Sequence, residues 1–303
     1  MTEEIEDRHD TRFSQEQKAT RRQTDEPSAR SGPVTIVGAF MRRDFRTVLL
    51  TPTYVVLGAL VFMIVLTIAL VGGSFEAGYA GVMLDLLVPL QLVVPLIAFA
   101  LGYTSVIGDS RRGELDVLKT YPVNGWHVIA GSFLARGIGL AIAVAIPLIL
   151  IAFAVAVTEP VRIPMYASHT GGDSVIYFAR FLILTVGFGL VMLAIAVAIS
   201  ALLSTTRGVV ATSAIALIVL IIGLDLGIAF GFSIGVVGEM DLIRTVAYSP
   251  LSAYRGLALE TAIQVTPGTG PETADPFWSL VGLLGWGVGA LMIGTVAVRG
   301  WRL

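Results

Sequence analysis

The sequence contains no cysteine, two lysines (Lys18 and Lys119) and three histidines (His9, His127 and His169) in 303 residues. Without thiols it builds no disulfide, no iron–sulfur cluster and no thiolate metal site. The histidines are scattered, and no H-E-x-x-H pair is available to hold zinc. Neither lysine stands in a G-x-x-x-x-G-K-[ST] phosphate loop, so hydrolysis of nucleotide by that machinery is not expected of this chain. Charge is also sparse. Only 14% of residues are charged and 55% are hydrophobic, whereas a soluble domain carries roughly 25% charged residues.

What is abundant is long apolar sequence. The mean hydropathy is +0.83, and six runs stand out at residues 53–71, 83–107, 128–157, 175–203, 209–237 and 277–298. Crossing about 30 Å of hydrocarbon takes roughly 20 helical residues, so each run is long enough. The third to fifth exceed the need and must tilt, extend beyond the bilayer or break. Pro89, Pro95 and Pro147 mark kink positions. The expected fold is an all-α membrane protein with six transmembrane helices.

The polar remainder is unevenly placed. Residues 1–32 hold eight acidic and six basic side chains; removing these from totals of 22 and 20 leaves 14 of each, so residues 33–303 are neutral. This tail has too few large apolar groups to offset ordering entropy and reads as a disordered cytoplasmic segment. No apolar core follows Met1, which speaks against a cleaved signal peptide. Residues 34–50 place Val34, Val37, Phe40, Met41, Phe45 and Val48 at helical spacing, with Arg42, Arg43, Asp44 and Arg46 between them. An apolar face with a basic flank suits an N-terminal interfacial amphipathic helix; a cytoplasmic extension of the first span is the alternative.

Orientation follows from the basic residues near the span ends. With the N-terminus inside, inner segments carry Arg42, Arg43, Arg46, Arg111, Arg112, Lys119, Arg207, Arg299 and Arg302. Outer ones carry only Arg162, Arg180, Arg244 and Arg255. Both termini are therefore expected in the cytoplasm. Residues 238–276 mix Glu239, Asp241, Arg244, Arg255 and Glu260 with apolar side chains and read as short amphipathic outer helices, candidate re-entrants, before the last span.

Charges inside the apolar runs are few. Asp225 is either an ion-coupling carboxylate or a solvated helix end or break, since it lies about 27 Å of helix rise beyond Arg207. Arg136 sits close to the inner end of the third span, where its side chain can snorkel. Asp85 and Arg180 lie near outer ends, and no buried acidic relay emerges.

The most informative stretch is the polar connection between the second and third spans, residues 107–127. Leu115 and Leu118 fall on one face of a short helix, Asp109, Arg111, Arg112, Glu114, Asp116 and Lys119 surround them, and Pro122 ends the element. The order Asp109, Gly113, Leu115, Leu118, Pro122, Trp126 and Gly131 resembles the signature of permease subunits of type-2 ABC exporters. Residues 249–255, Ser-Pro-Leu-Ser-Ala-Tyr-Arg, resemble the same family's run before its last span, through Pro250, Tyr254 and Arg255. The likeness covers about residues 34–303. Tyr121, Pro122 and Val123 followed by Trp126 are most similar to the NosY-like branch, the permeases of nitrous oxide reductase maturation. One departure is Ser132, where the family often has lysine.

The resemblance implies a permease, not an enzyme, that moves substrate with energy from a separate cytoplasmic ABC ATPase subunit carrying ATP and Mg. This chain would hold no cofactor of its own. It implies pairing with a second permease copy, as a homodimer or heterodimer, in the lipid bilayer of the cell membrane, with no nucleic acid. Residues 33–303 would form the six-span domain. Asp109, Arg111, Arg112, Gly113, Glu114, Leu115, Leu118 and Pro122 would contact the ATPase, and the helix bearing Arg42, Arg43, Phe45 and Arg46 would be its interfacial connector. Other classes remain open: a non-transporting membrane anchor or assembly subunit of a respiratory or maturation complex, and an ion-coupled secondary transporter. Substrate and direction of transport are not encoded in any recognisable residue.

Overall fold

The computed structural model describes residues 52–72, 78–108, 125–158, 174–263 and 274–300. All of them fall within one contact unit, residues 37–303. The tail 1–32, the helix expected at 34–50 and the connection 109–122 lie outside the described residues, as do Tyr121, Pro122 and Val123.

Every described element is helical. The sequence contains the start signals for several of them. Helix α1 (Pro52–Val71) begins on a proline, whose fixed φ and missing N–H suit a first helical position. Helices α2 (Gly78–Gly102) and α3 (Gly125–Val157) come next. Helix α4 (Val175–Leu202) is capped by Ser174, whose hydroxyl accepts from the Ile176 N–H at 3.3 Å. Thr205 caps α5 (Thr206–Ile218) in the same way, accepting from Gly208 N–H at 3.2 Å. These side chains satisfy N–H groups that a helix start otherwise leaves without an intrahelical partner.

Helix α5 does not end at Ile218. It passes through a π-helical turn, Val219–Gly223, into α6 (Leu224–Ser233), so one apolar rod runs from Thr206 to Ser233. Two short helices come after it, α7 (Glu239–Val246) and α8 (Pro250–Ala258), the second continuing into a π turn at Leu259–Ile263. Helix α9 (Pro276–Gly300) closes the chain. Its start is held by Asp275, whose Oδ1 accepts from Phe277 N–H at 2.9 Å and Trp278 N–H at 3.3 Å.

Five of these units are long and apolar enough to cross a bilayer: α2, α3, α4, the Thr206–Ser233 rod, and α9 over Pro276–Val298. The 20-residue α1 adds a shorter apolar stretch, Val56–Val71. The molecule is an all-α membrane protein. The prolines expected to mark kinks lie inside helices that continue through them, Pro89 and Pro95 in α2 and Pro147 in α3. The departure from α geometry comes instead in the fifth span, at a segment containing no proline.

Helix α4 is the centre of the bundle. It packs against α9, α2 and α3, and α8 also lies on it. Its second half, 192–201, is buried all round, with Met192, Leu193, Ala196 and Val197 inaccessible, which accounts for a run apolar on every face. The Thr206–Ser233 rod is the opposite case, since the rest of the chain covers almost none of it.

Candidate functional site

The residues singled out for ATPase contact, Asp109, Arg111, Arg112, Gly113, Glu114, Leu115, Leu118 and Pro122, are outside the described residues, and so are Arg42, Arg43, Phe45 and Arg46. The two points from which that connection springs are described. On the α2 side the backbone N–H groups of Val106 and Ile107 both donate to the Ser200 hydroxyl, at 3.1 and 3.3 Å. Ser200 is buried near the end of α4, so this end of the connection is fastened to the central helix. On the α3 side the Trp126 ring stacks on buried His127 with centroids 3.9 Å apart.

Ser132, the departure from the family pattern, is not without a cation. Arg136, one turn further along α3, donates to the Ser132 hydroxyl. The guanidinium therefore reaches back toward the Gly125 end of the helix, the direction in which a helical side chain naturally leans. A positive charge stands at this place although the residue there is serine.

The third set, Pro250, Tyr254 and Arg255, is fully described and forms a well-built constellation. After α6 the chain reverses through Gly235, whose φ of +74° lies in the left-handed region that glycine enters freely. Helix α7 then leads to the turn Ala247–Ser249, and α8 leads away from it. Ser249 caps α8 with Pro250 at its first turn. The turn sits deep among the spans. The Trp286 indole N–H donates to the Tyr248 carbonyl at 2.8 Å, and Trp286 is ten residues, or about 15 Å, into α9. Gly282 makes this approach possible, because a Cβ there would stand 2.1 Å from the Ala247 carbonyl oxygen. The helices α7 and α8 thus form a hairpin whose turn packs against α9 well beyond its first turn.

Tyr254 is the hairpin's anchor. It is completely buried, its ring stacks on Phe188 at 4.6 Å and 11°, and its hydroxyl is 2.8 Å from that of Thr185. The Thr185 hydroxyl already donates to the Phe181 carbonyl at 2.7 Å. A hydroxyl has one proton, so Tyr254 is the donor to Thr185. Burial pushes the Tyr254 phenol above its ordinary value, and the hydrogen bond with Thr185 offsets only part of that rise. It stays a neutral donor.

Two further side chains tie α8 to other spans. Arg255 Nη2 donates to Gln91 Oε1 at 3.1 Å. Gln91 lies in the middle of α2 and is 2% exposed, and its amide nitrogen has no hydrogen-bond partner among the described residues. The Ser252 hydroxyl donates to Asp225 Oδ2 at 2.9 Å. Asp225 comes two residues after the π turn, in the first turn of α6. The helix runs on through the π turn to Ser233 and is not broken beside Asp225. The Asp225 carboxylate is half-buried against the hairpin, and Oδ1 is buried without a partner among the described residues, so it is not a freely solvated helix end. Arg180 completes the ties by donating to the Thr261 carbonyl at 3.3 Å while lying 5.3 Å over the Tyr177 ring.

One short helix therefore joins α2, α4 and the fifth span through side chains, and α9 holds its turn. Sequence reasoning found Tyr254 and Arg255 by resemblance but did not find Gln91, Thr185, Ser252 or Trp286. The available signal was Gln91 itself, an amide in an otherwise apolar run. The Gly-x-Ser-x-Gly sequence at Gly231–Gly235 is not a nucleophile elbow: it ends α6, and the Ser233 hydroxyl is bonded to the Phe230 carbonyl at 2.7 Å. Among the described residues no group of acidic and histidine side chains is placed to hold a metal. The arrangement is a polar clasp set in an apolar bundle.

Comparison with known families gives a match that spans nearly the whole chain. The model of a family described as ABC-2 family transporter protein matches residues 12–299. No curated protein matches the chain.

Proposed function

The chain belongs to the ABC-2 transporter family, and from that membership we propose that it is the permease subunit of an exporter driven by a separate ATPase. The partner subunit would bind ATP and Mg and dimerise on binding nucleotide. It would press on residues 109–122 and on the interfacial helix at 34–50, with both termini on the ATPase side of the cell membrane. A second permease copy would complete the pathway.

The observation that carries this reading is the family match across the spans. Support for the coupling step comes from the fastening of Val106 and Ile107 to Ser200. A push on the connection reaches α4 at that point, and α4 carries the Thr185 and Phe188 seat of Tyr254. Only contact that differs between the two nucleotide states shifts the permease between conformations, and residues 109–122 would supply that difference. The hairpin would then move with α4 rather than independently of it.

The test is co-purification followed by uncoupling. The tagged chain, solubilised in detergent, is expected to retain an ATP-hydrolysing partner. Replacing Gly113 or Leu115 with arginine is expected to abolish ATP-driven transport while the folded permease stays in the membrane. Transport and ATPase stimulation that survive both replacements would defeat the proposal.

A further inference from the structure

Between α4 and α9, below the tip of the hairpin, runs an open groove with a cavity volume of about 530 Å³. It extends along α9 from Trp278 to Ile293, fifteen residues or roughly 22 Å of helix rise, and is bounded at its far end by Leu202 of α4. Its wall along α9 is low because Gly285 and Gly289 face it, and a Cβ at either position would meet nothing within 4 Å. Most of the lining is apolar, and the rim residues Val281, Leu202 and Ile293 are exposed, so the groove is open to the side.

One end differs from the rest. Among the described residues, Arg244 is the only charged one lining the groove. It lies one turn before Ala247, whose carbonyl meets Gly282, and therefore near the Pro276 end of α9. Among the described residues its guanidinium has no ion pair or side-chain hydrogen bond, although Asp241 is three residues away on the same helix. Tyr248, one turn after Arg244, and Trp278, two residues from Pro276, also line this end, and aromatic side chains of this kind sit at headgroup level, while Trp286 stands about 12 Å further along α9. A cation with aromatic neighbours at one end, and some 20 Å of apolar channel leading away, is complementary to a molecule with an anionic head and an apolar chain. Basic pockets between spans bind lipid headgroups on the same principle.

We propose that this groove is a binding site for an anionic phospholipid, with the phosphate on Arg244 and one acyl chain lying along Gly285 and Gly289. The site is built by the permease chain alone and does not depend on the ATPase. A bilayer supplies the occupant from the side, without passage through water. The bound chain would fill the cleft between the central helix and the last span and brace the hairpin turn from below.

Trp286 is a built-in reporter. With Trp126, Trp278 and Trp301 replaced by phenylalanine, its fluorescence is measured in vesicles containing phospholipid brominated on the acyl chain, with either a glycerol or a choline headgroup. Brominated phosphatidylglycerol is expected to quench at several-fold lower mole fraction than brominated phosphatidylcholine. Arg244→Gln should erase that preference, Arg244→Lys should keep most of it, and Gly289→Leu should reduce quenching by both lipids. Equal quenching by the two lipids in the parent protein would overturn the proposal, as would a preference that persists in Arg244→Gln. Protection of Trp286 from both lipids would overturn it in favour of a second copy of the chain covering the groove.

Discussion

Tyr254 lies flat against Phe188, ring centroids 4.6 Å apart, and donates a hydrogen bond to Thr185, one turn from Phe188 on the same helix. This contact seats the hairpin in the bundle, and it separates packing from hydrogen bonding. Tyr254→Phe keeps the stack and removes the donor, at a cost of about 1 kcal/mol. Tyr254→Ala removes both and leaves a void, at a cost of about 3–5 kcal/mol. Thermal unfolding in detergent should rank the two accordingly.

The same phenol sets a pH window. Its value is raised by burial, so its stabilising contribution is fully present below the unfolded value of about 10 and is lost only as pH rises beyond that. The difference in stability between the parent protein and Tyr254→Phe should be flat from about pH 6 to 9. It should shrink only in strongly alkaline buffer.

Ser252 and Asp225 form the second tie. Ser252→Ala takes the bond from a carboxylate that is already short of partners and should cost about 1–3 kcal/mol. Asp225→Asn keeps an acceptor and removes the half-buried charge, so it should cost less. The Ser252→Ala penalty should fall by about half or more in the Asp225→Asn background. A double-mutant cycle measures that coupling, and additive penalties would mean the pair does not interact in solution.

Two glycines of α9, three residues apart, should respond in opposite directions. Gly282→Ala drives a methyl into the Ala247 carbonyl, displaces the turn and should destabilise by about 1–3 kcal/mol. Gly285→Ala meets open space and should be neutral or stabilising by up to about 1 kcal/mol, since alanine favours the helix. Emission from Trp286 should shift in the first variant, as its bond to Tyr248 is broken, and stay in place in the second.

Ser200 offers a test of force transmission. Ser200→Ala leaves the buried N–H groups of Val106 and Ile107 without their acceptor. ATP-driven transport is expected to drop several-fold while the ATPase partner still co-purifies, and Ser200→Thr, which keeps the hydroxyl, should restore it.

The spans were legible because a bilayer imposes length and hydropathy on any helix that crosses it. The six apolar runs and the described helices agree to within a few residues, apart from α2, which runs from Gly78 to Gly102 rather than from 83 to 107. Their breaks were not legible. Proline is the usual sequence sign of irregularity, yet α2 and α3 continue through theirs, and the π turn at Val219–Gly223 contains no proline, only a glycine at its last position. The hairpin was readable as amphipathic and as a candidate re-entrant. Its depth was not, because depth depends on Gly282, Trp286 and Thr185, residues far away in sequence whose individual identities are unremarkable. Arg136 teaches the same lesson. Its cation stands at Ser132 through a one-turn reach, which position-by-position matching does not detect.

The π turn at Val219–Gly223 also fixes the phase of the whole span beyond it. A π turn accommodates an extra residue, and each residue added to a helix rotates the remainder by about 100°. Asp225 comes two residues after the turn, and its orientation toward Ser252 belongs to that rotated phase. Deleting a single residue from the turn would restore a regular α-helix of almost the same length and hydropathy, yet it would swing the carboxylate round the rod and away from the hairpin. The fifth span thus behaves as two helical faces spliced out of step. It can tolerate many apolar exchanges along its length but not a change in its residue count.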